Sequence, residues 1–179
     1  VWLVVHNDCW AYAWGALLGR RFITQPFFSL SPKKTWEGFV GALVSTIVVA
    51  FYTAPLFARS RWLSCPATSL TLRFHEPLAC EPAAVFRTRS EMKLGFVTLH
   101  DVSPIQLHAV VFGLFASVVA PFGGFLASAI KRAYEVKDFD SLIPGHGGVT
   151  DRVDCEFIMA LFVYVYHKTF IAEPEGWRA

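Results

Sequence analysis

The sequence predicts an all-α, polytopic transmembrane fold of about four spans, and three observations predict it. Of 179 residues, 54% are hydrophobic and 17% charged, against about 25% charged in an ordinary soluble domain, and the mean hydropathy is positive. Four apolar runs, at about 1–19, 39–58, 105–130 and 155–172, approach the ~17–25 residues that a helix needs to cross a hydrocarbon core. Eight of the sixteen basic residues gather in two short connections: Arg20, Arg21, Lys33 and Lys34 after the first run, and Lys131, Arg132, Lys137 and Arg152 between the third and fourth. Two crossings separate these clusters, so both share one face, which the positive-inside rule makes cytoplasmic. The 59–103 segment then becomes a lumenal insertion.

The first run, VWLVVHNDCWAYAWGALLG, is fit for lipid except at Asp8. A carboxylate at the bilayer centre costs about 2.5–3.5 kcal/mol on insertion scales. Asp8 is therefore either solvated at a loop or interface, or turned with His6 and Asn7 into a polar cavity as a metal or hydrogen-bond partner. Val1 to Val5 lacks a charged leader and a cleavage site, and the chain is expected to be the C-terminal part of a longer protein. The second run, Phe39 to Ala58, is well signalled, because Ser31 can cap a helix and Pro32 suits its first position. Lys33 and Lys34 then read as a basic juxtamembrane cap with Trp36 as interfacial anchor, or as phosphate ligands beside a helix N-terminus.

Cys65 and Cys80 fall in the same hydrophilic insertion, and a disulfide between them requires an oxidising compartment. The cysteines at 9, 65, 80 and 155 have no zinc-site spacing. In the third run, Pro121-Phe122-Gly123-Gly124 predicts a kink or a break. The fourth ends at Glu173-Pro174-Glu175-Gly176, which stops any helix.

The segment from Ser128 to Asp154 carries the chemistry. Lys131, Arg132, Lys137 and Arg152 suit phosphate oxygens, while Asp138, Asp151 and Asp154 suit a hard divalent cation. Pro144-Gly145-His146-Gly147-Gly148 can bring backbone N–H groups to an anion. Asp151 and Asp154, three apart, share one helix face if the last helix begins near Asp151. His146 is read as a donor to phosphate rather than a base, and Cys155 as a packing residue. A net charge of +2, with basic residues in clusters rather than a stripe, argues against nucleic acid. Together these residues describe a polyphosphate site with a metal.

The motifs Ser128-x-x-Lys131-Arg132, Lys137-Asp138, Ile143-Pro144-Gly145-His146-Gly147-Gly148 and Asp151-Arg152-Val153-Asp154 closely resemble the signature of the phosphatidate cytidylyltransferase family. Ser31 to Gly38 (SPKKTWEG) and Asn7-Asp8-x-x-Ala11-Tyr12 are similar to that family too, in the right order, with Asp154-Cys155 and the long insertion resembling its eukaryotic, fungal-like branch. Asp140 departs from the small residue usual there. The resemblance implies a single membrane-embedded cytidylyltransferase domain over 1–179, lacking N-terminal helices, with its catalytic loop at the cytoplasmic face of the endoplasmic reticulum membrane. It implies transfer of CMP from CTP to phosphatidate, giving CDP-diacylglycerol and pyrophosphate.

The same resemblance implies Lys131, Arg132, Lys137, Asp138, His146, Asp151 and Arg152 as catalytic residues, with Lys33, Lys34, Ser128, Gly147 and Gly148 binding substrate. Asp138, Asp151, Asp154 and Asp8 would hold Mg²⁺, with a second, monovalent cation as an open addition, and a homo-oligomer is compatible with the sequence. The rival readings are a CTP-dependent lipid or polyprenol kinase, which releases CDP, and a non-enzymatic ion-transporter subunit.

Overall fold

A computed structural model describes residues 1–25, 34–65, 80–81, 83–94, 97–136, 139 and 148–171. Helix α1 (Trp2–Leu18) is followed by α2 (Trp36–Ala58), a short α3 (Arg61–Ser64), a 3₁₀ turn (Ala84–Phe86) and strands β1 (Arg89–Leu94) and β2 (Val97–Val102). Then come α4 (Pro104–Val118), α5 (Pro121–Ala133) and α6 (Thr150–Tyr166), which continues as a π turn over His167–Ile171. The chain is mostly helical, as its composition predicts. The departure lies in the 59–103 segment, where an antiparallel pair runs from Arg89↔Val102 to Leu94↔Val97. Its register sets Met92 opposite Leu99, and β-branched Val97, Thr98 and Val102 suit the pleat.

Among the described residues, two stretches are long and apolar enough to cross a membrane, Trp36–Ala58 and Pro104–Ala133. Helix α2, with 23 residues, is about 35 Å long at ~1.5 Å per residue. Its Val40, Val44, Val48, Tyr52 and Leu56 form an exposed apolar stripe four residues apart, the reverse of a water-facing helix surface. Helices α1 and α6 have 17 residues each, about 26 Å of rise.

The third apolar run is two helices rather than one. Pro121 has no N–H to offer, and the Val119 and Ala120 amides both fall back on the Phe115 carbonyl, at 2.9 and 3.0 Å. The expected break is therefore present, one turn ahead of the glycine pair.

Two compact units divide the chain, Val1–Ile47 with Phe112–Ala179, and Val48–Val111. In the first, Val4, Ala116, Ala120 and Met159 form the buried core, with Phe115 stacked on Phe162 at 3.7 Å between ring centroids. Cys155 packs against this core, as expected of a structural thiol. In the second unit, Ser103 precedes Pro104 at the head of α4, and Gln106 Oε1 accepts from the Ser103 N–H at 2.9 Å. That is the Gln half of a capping box, and the Ser103 hydroxyl donates to the same oxygen at 3.2 Å. The Gln106 amide also donates to the Phe51 carbonyl. Cys65 and Cys80 are joined as a disulfide, their Cα atoms 5.8 Å apart.

Candidate active site

The site is assembled where α1, α5, α6 and the residue leading into α2 come together. Helix α1 is fixed against α2 by two polar contacts and by small residues. Thr46 Oγ1 donates to Asn7 Oδ1 at 3.3 Å, both side chains being buried, and Trp14 Nε1 donates to Ser45 Oγ at 2.9 Å. Gly38 faces Ala11 so closely that an added Cβ would stand 2.7 Å from the Ala11 carbonyl oxygen. Such small-residue seams let helix backbones approach. Asn7, wedged in this seam, sets the rotation of α1 and with it the direction of the next residue, Asp8.

Helices α5 and α6 meet in the same way at another residue. A Cβ on Gly123 would lie 2.5 Å from the Asp154 carbonyl oxygen, and one on Gly124 would lie 3.4 Å from Asp154 Oδ2 and 3.3 Å from Cys155 Sγ. The glycine pair thus gives Asp154 its room. Asp154 Oδ1 accepts from the Cys155 N–H at 2.7 Å, which orients the carboxylate.

Lys34, Asp154 and Glu156 all lie within electrostatic reach of the Asp8 carboxylate. Lys34 Nζ stands 4.2 Å over the centroid of the buried Phe125 ring, a cation–π contact that holds the ammonium beside α5. The α1 carboxylate, the α6 carboxylate and the lysine before α2 therefore share one electrostatic environment, although 119 residues lie between Lys34 and Asp154 in sequence.

 The whole of 35–153 intervenes between that lysine and that carboxylate in sequence, so helix packing alone brings them together.

Along α5 the spacing extends the site. Gly124, Ser128 and Lys131 are four and then three residues apart, and Arg132 follows, so all four share a face. Phe122, Leu126 and Ile130 occupy the opposite face and are exposed. Helix α5 therefore carries hydroxyl and cations on the side that meets Asp154, and apolar side chains on the other. Lys131 Nζ lies 5.6 Å from the Phe139 ring centroid. Gly148 is buried just before α6, and Asp151 stands one turn ahead of Asp154 in that helix. His6 turns to the indoles of Trp2 and Trp10.

Lys33, Lys137, Asp138, His146 and Gly147 lie outside the described residues, as do the side chains of Asp151 and Arg152. Among the described residues no three of His, Cys, Asp and Glu are placed to hold a metal ion. Asp8 and Asp154 bring two carboxylates into one electrostatic environment. Sequence reasoning missed Glu156 and Phe125, and took Gly123-Gly124 as part of a kink or break without foreseeing its contact with Asp154. The signal that marks the pair is the presence of two adjacent residues without side chains inside a helix.

Fold and site together define a strongly apolar helical protein that gathers carboxylates and cations at its helix seams. Residues 1–170 match the model of the family described as "Cytidylyltransferase family". The chain is 47% identical over 97% of its length to a Dictyostelium discoideum protein named "Probable phosphatidate cytidylyltransferase", of which it covers 38%. It is 44% identical over 94% of its length to "Phosphatidate cytidylyltransferase 1" of Arabidopsis thaliana, covering 40% of that protein. The human protein of that name is 40% identical over 96% of this chain, which covers 38% of it. The chain belongs to the cytidylyltransferase family. It spans about two fifths of the length of these curated relatives.

Proposed function

We propose that the protein containing this chain is a membrane-embedded phosphatidate cytidylyltransferase, transferring CMP from CTP to phosphatidate and releasing pyrophosphate. The observation that carries the reading is the family match over residues 1–170. A phosphatidate oxygen attacks the α-phosphorus of CTP; the new P–O bond forms as the bond to the bridging oxygen breaks, and pyrophosphate leaves with that electron pair. Phosphatidate is already ionised at neutral pH, so no general base is required, and His146 serves as a donor to phosphate.

Both reactants are polyanions, so positioning and charge cancellation supply the catalysis. Lys131, Arg132, Lys137 and Arg152 neutralise phosphates, Lys33 and Lys34 approach from the head of α2, and Ser128 with Gly147 and Gly148 donates hydrogen bonds. Asp8, Asp138, Asp151 and Asp154 would hold Mg²⁺, which supplies electrostatic stabilisation of the triphosphate when bound. The meeting of Asp8, Lys34 and Asp154 supports this assignment.

In this reading α1, α2, α4 with α5, and α6 are four spans, with the basic connections in the cytoplasm. The Cys65–Cys80 disulfide supports placing the 59–103 insertion in an oxidising lumen, which fits the endoplasmic reticulum. The test is to express the full-length parent in membranes and measure pyrophosphate release from CTP with and without phosphatidate and Mg²⁺, beside Asp151→Asn. Phosphatidate- and Mg²⁺-dependent pyrophosphate is expected, and loss of turnover in the variant. Release of CDP instead would identify a kinase, and wild-type turnover by Asp151→Asn would overturn the metal assignment.

A further inference from the structure

A lysine side chain is long and loses much rotamer freedom when it is fixed, and that of Lys34 is exposed, so burial does not hold its ammonium. Its backbone is held. Lys34 precedes Thr35, whose Oγ1 accepts from the Gly38 N–H at 3.2 Å and caps α2. From there the side chain reaches α5, where Nζ stands 4.2 Å over the centroid of the Phe125 ring. The ammonium lies within electrostatic reach of the Asp8 carboxylate, yet among the described residues it forms no ion pair. An aromatic face, not a carboxylate, is its near partner.

The ring is itself fixed. Phe125 is 6% exposed, and Phe122 meets it edge to face at 5.7 Å between centroids. It lies two residues beyond Gly123, where an added Cβ would stand 2.5 Å from the Asp154 carbonyl oxygen, so the helix that carries the ring is pressed against the backbone of Asp154. The ring thus sets where the Lys34 ammonium stands relative to α6 and its carboxylate.

A carboxylate and a ring hold an ammonium differently. A carboxylate accepts its N–H groups, and an arriving phosphate must displace that partner. The face of a ring attracts the charge through its quadrupole and covers one side of the ammonium, which leaves N–H donors on the other side for phosphate oxygens. Lys34 is held in place without being neutralised.

We propose that Phe125 is a positioning residue, whose ring face holds the Lys34 ammonium ready to receive a substrate phosphate. The proposal rests on the assignment of Lys34 to phosphate made above. It adds a residue that acts on the substrate only through the charge of another.

The test replaces Phe125 in the full-length parent by mono-, di- and trifluorophenylalanine, which keep the shape of the ring while withdrawing electron density from its face. Dissociation constants for CTP and for a short-chain phosphatidate are measured one ligand at a time, without turnover, and pyrophosphate release is assayed separately with both. Affinity for the ligand that Lys34 meets is expected to fall stepwise with fluorine number, by about two- to fivefold in all, the reach of a cation–π contact at an exposed site. The thermal midpoint should hold through the series. In a Lys34→Met background the series should be flat, whereas Lys34→Arg, which keeps a cation over the ring, should retain the fluorine dependence. Affinities that ignore fluorination, or that fall equally in Lys34→Met, would make Phe125 a packing residue and overturn the proposal, as would an unmodified parent that binds neither ligand. If the parent binds with the fluorine dependence but releases no phosphatidate-dependent pyrophosphate, the positioning role stands and cytidylyl transfer falls.

Discussion

Two helix seams in the same unit are built alike and do different things. Between α1 and α2, a Cβ on Gly38 would stand 2.7 Å from the Ala11 carbonyl oxygen; between α5 and α6, one on Gly123 would stand 2.5 Å from that of Asp154. In both, a glycine admits a facing backbone. The first seam is then locked by neutral hydrogen bonds, Thr46 to Asn7 and Trp14 to Ser45. The second leaves a carboxylate beside the glycine pair, in the field it shares with Asp8 and Lys34. One seam holds a helix in register, and the other presents charge. Close packing is the means in each case, and the residue opposite the glycine decides the use.

The largest effect should come from removing the charge and keeping the shape. Asp154→Asn in the full-length parent is expected to lower kcat/KM for CTP by on the order of 10²–10³, the scale of losing one electrostatic partner of the transition state. The thermal midpoint should hardly move. Pyrophosphate release and a melting curve on the same preparation check both halves; a fall in stability with normal turnover per folded molecule would make the α5–α6 seam structural, like the other.

A matched pair of alanines separates the seams next. Gly123→Ala and Gly38→Ala each force a facing carbonyl to give way, and each should cost about 1–3 kcal/mol of stability, as overpacking does. Only Gly123→Ala should also depress kcat in the folded fraction, because it displaces Asp154. Equal kcat in the two variants would remove the distinction between the seams.

Lys34 is the cation common to both, leading into α2 and lying against Phe125 of α5. Lys34→Met is expected to raise KM for CTP or phosphatidate about tenfold, equivalent to about 1.4 kcal/mol of binding. Lys34→Arg should recover part of it, since charge and cation–π contact persist. Steady-state kinetics against each substrate decides which phosphate it meets.

The smallest effect belongs to the neutral lock. Ser45→Ala leaves the Trp14 indole without its acceptor and should lower stability by about 0.6 kcal/mol, the average for such bonds between membrane helices, with turnover unchanged. A larger loss of activity would mean that α1 positions Asp8 through this contact as well as through Asn7.

Much of the helical frame was legible because burial in an apolar medium demands long apolar runs whatever their partners. The runs at 39–58 and 155–172 correspond to α2 and to α6 with its π turn, and Pro121 marked the break between α4 and α5. The hairpin at Arg89–Val102 was not legible. Its strands are short and polar in part, and such segments take their structure from pairing rather than from a local pattern. Cys65 and Cys80 were visible as candidates, but only proximity joins them. In the site, the spacing of Asp151 and Asp154 gave their common face, whereas Glu156 looked like an ordinary helical carboxylate and Gly123-Gly124 like a kink.

By itself, the sequence determined that the chain is apolar and helical, that half of its basic residues gather in two short connections, and that one family's motifs stand in order along it. These are properties of composition and local spacing, which a linear chain carries without folding. Tertiary structure decided which charges meet. Asp8, Lys34 and Asp154 share one field because glycines let α1 approach α2 and α5 approach α6, and because α1 packs on α6; electrostatic interaction depends on distance through space, which no spacing along the chain supplies.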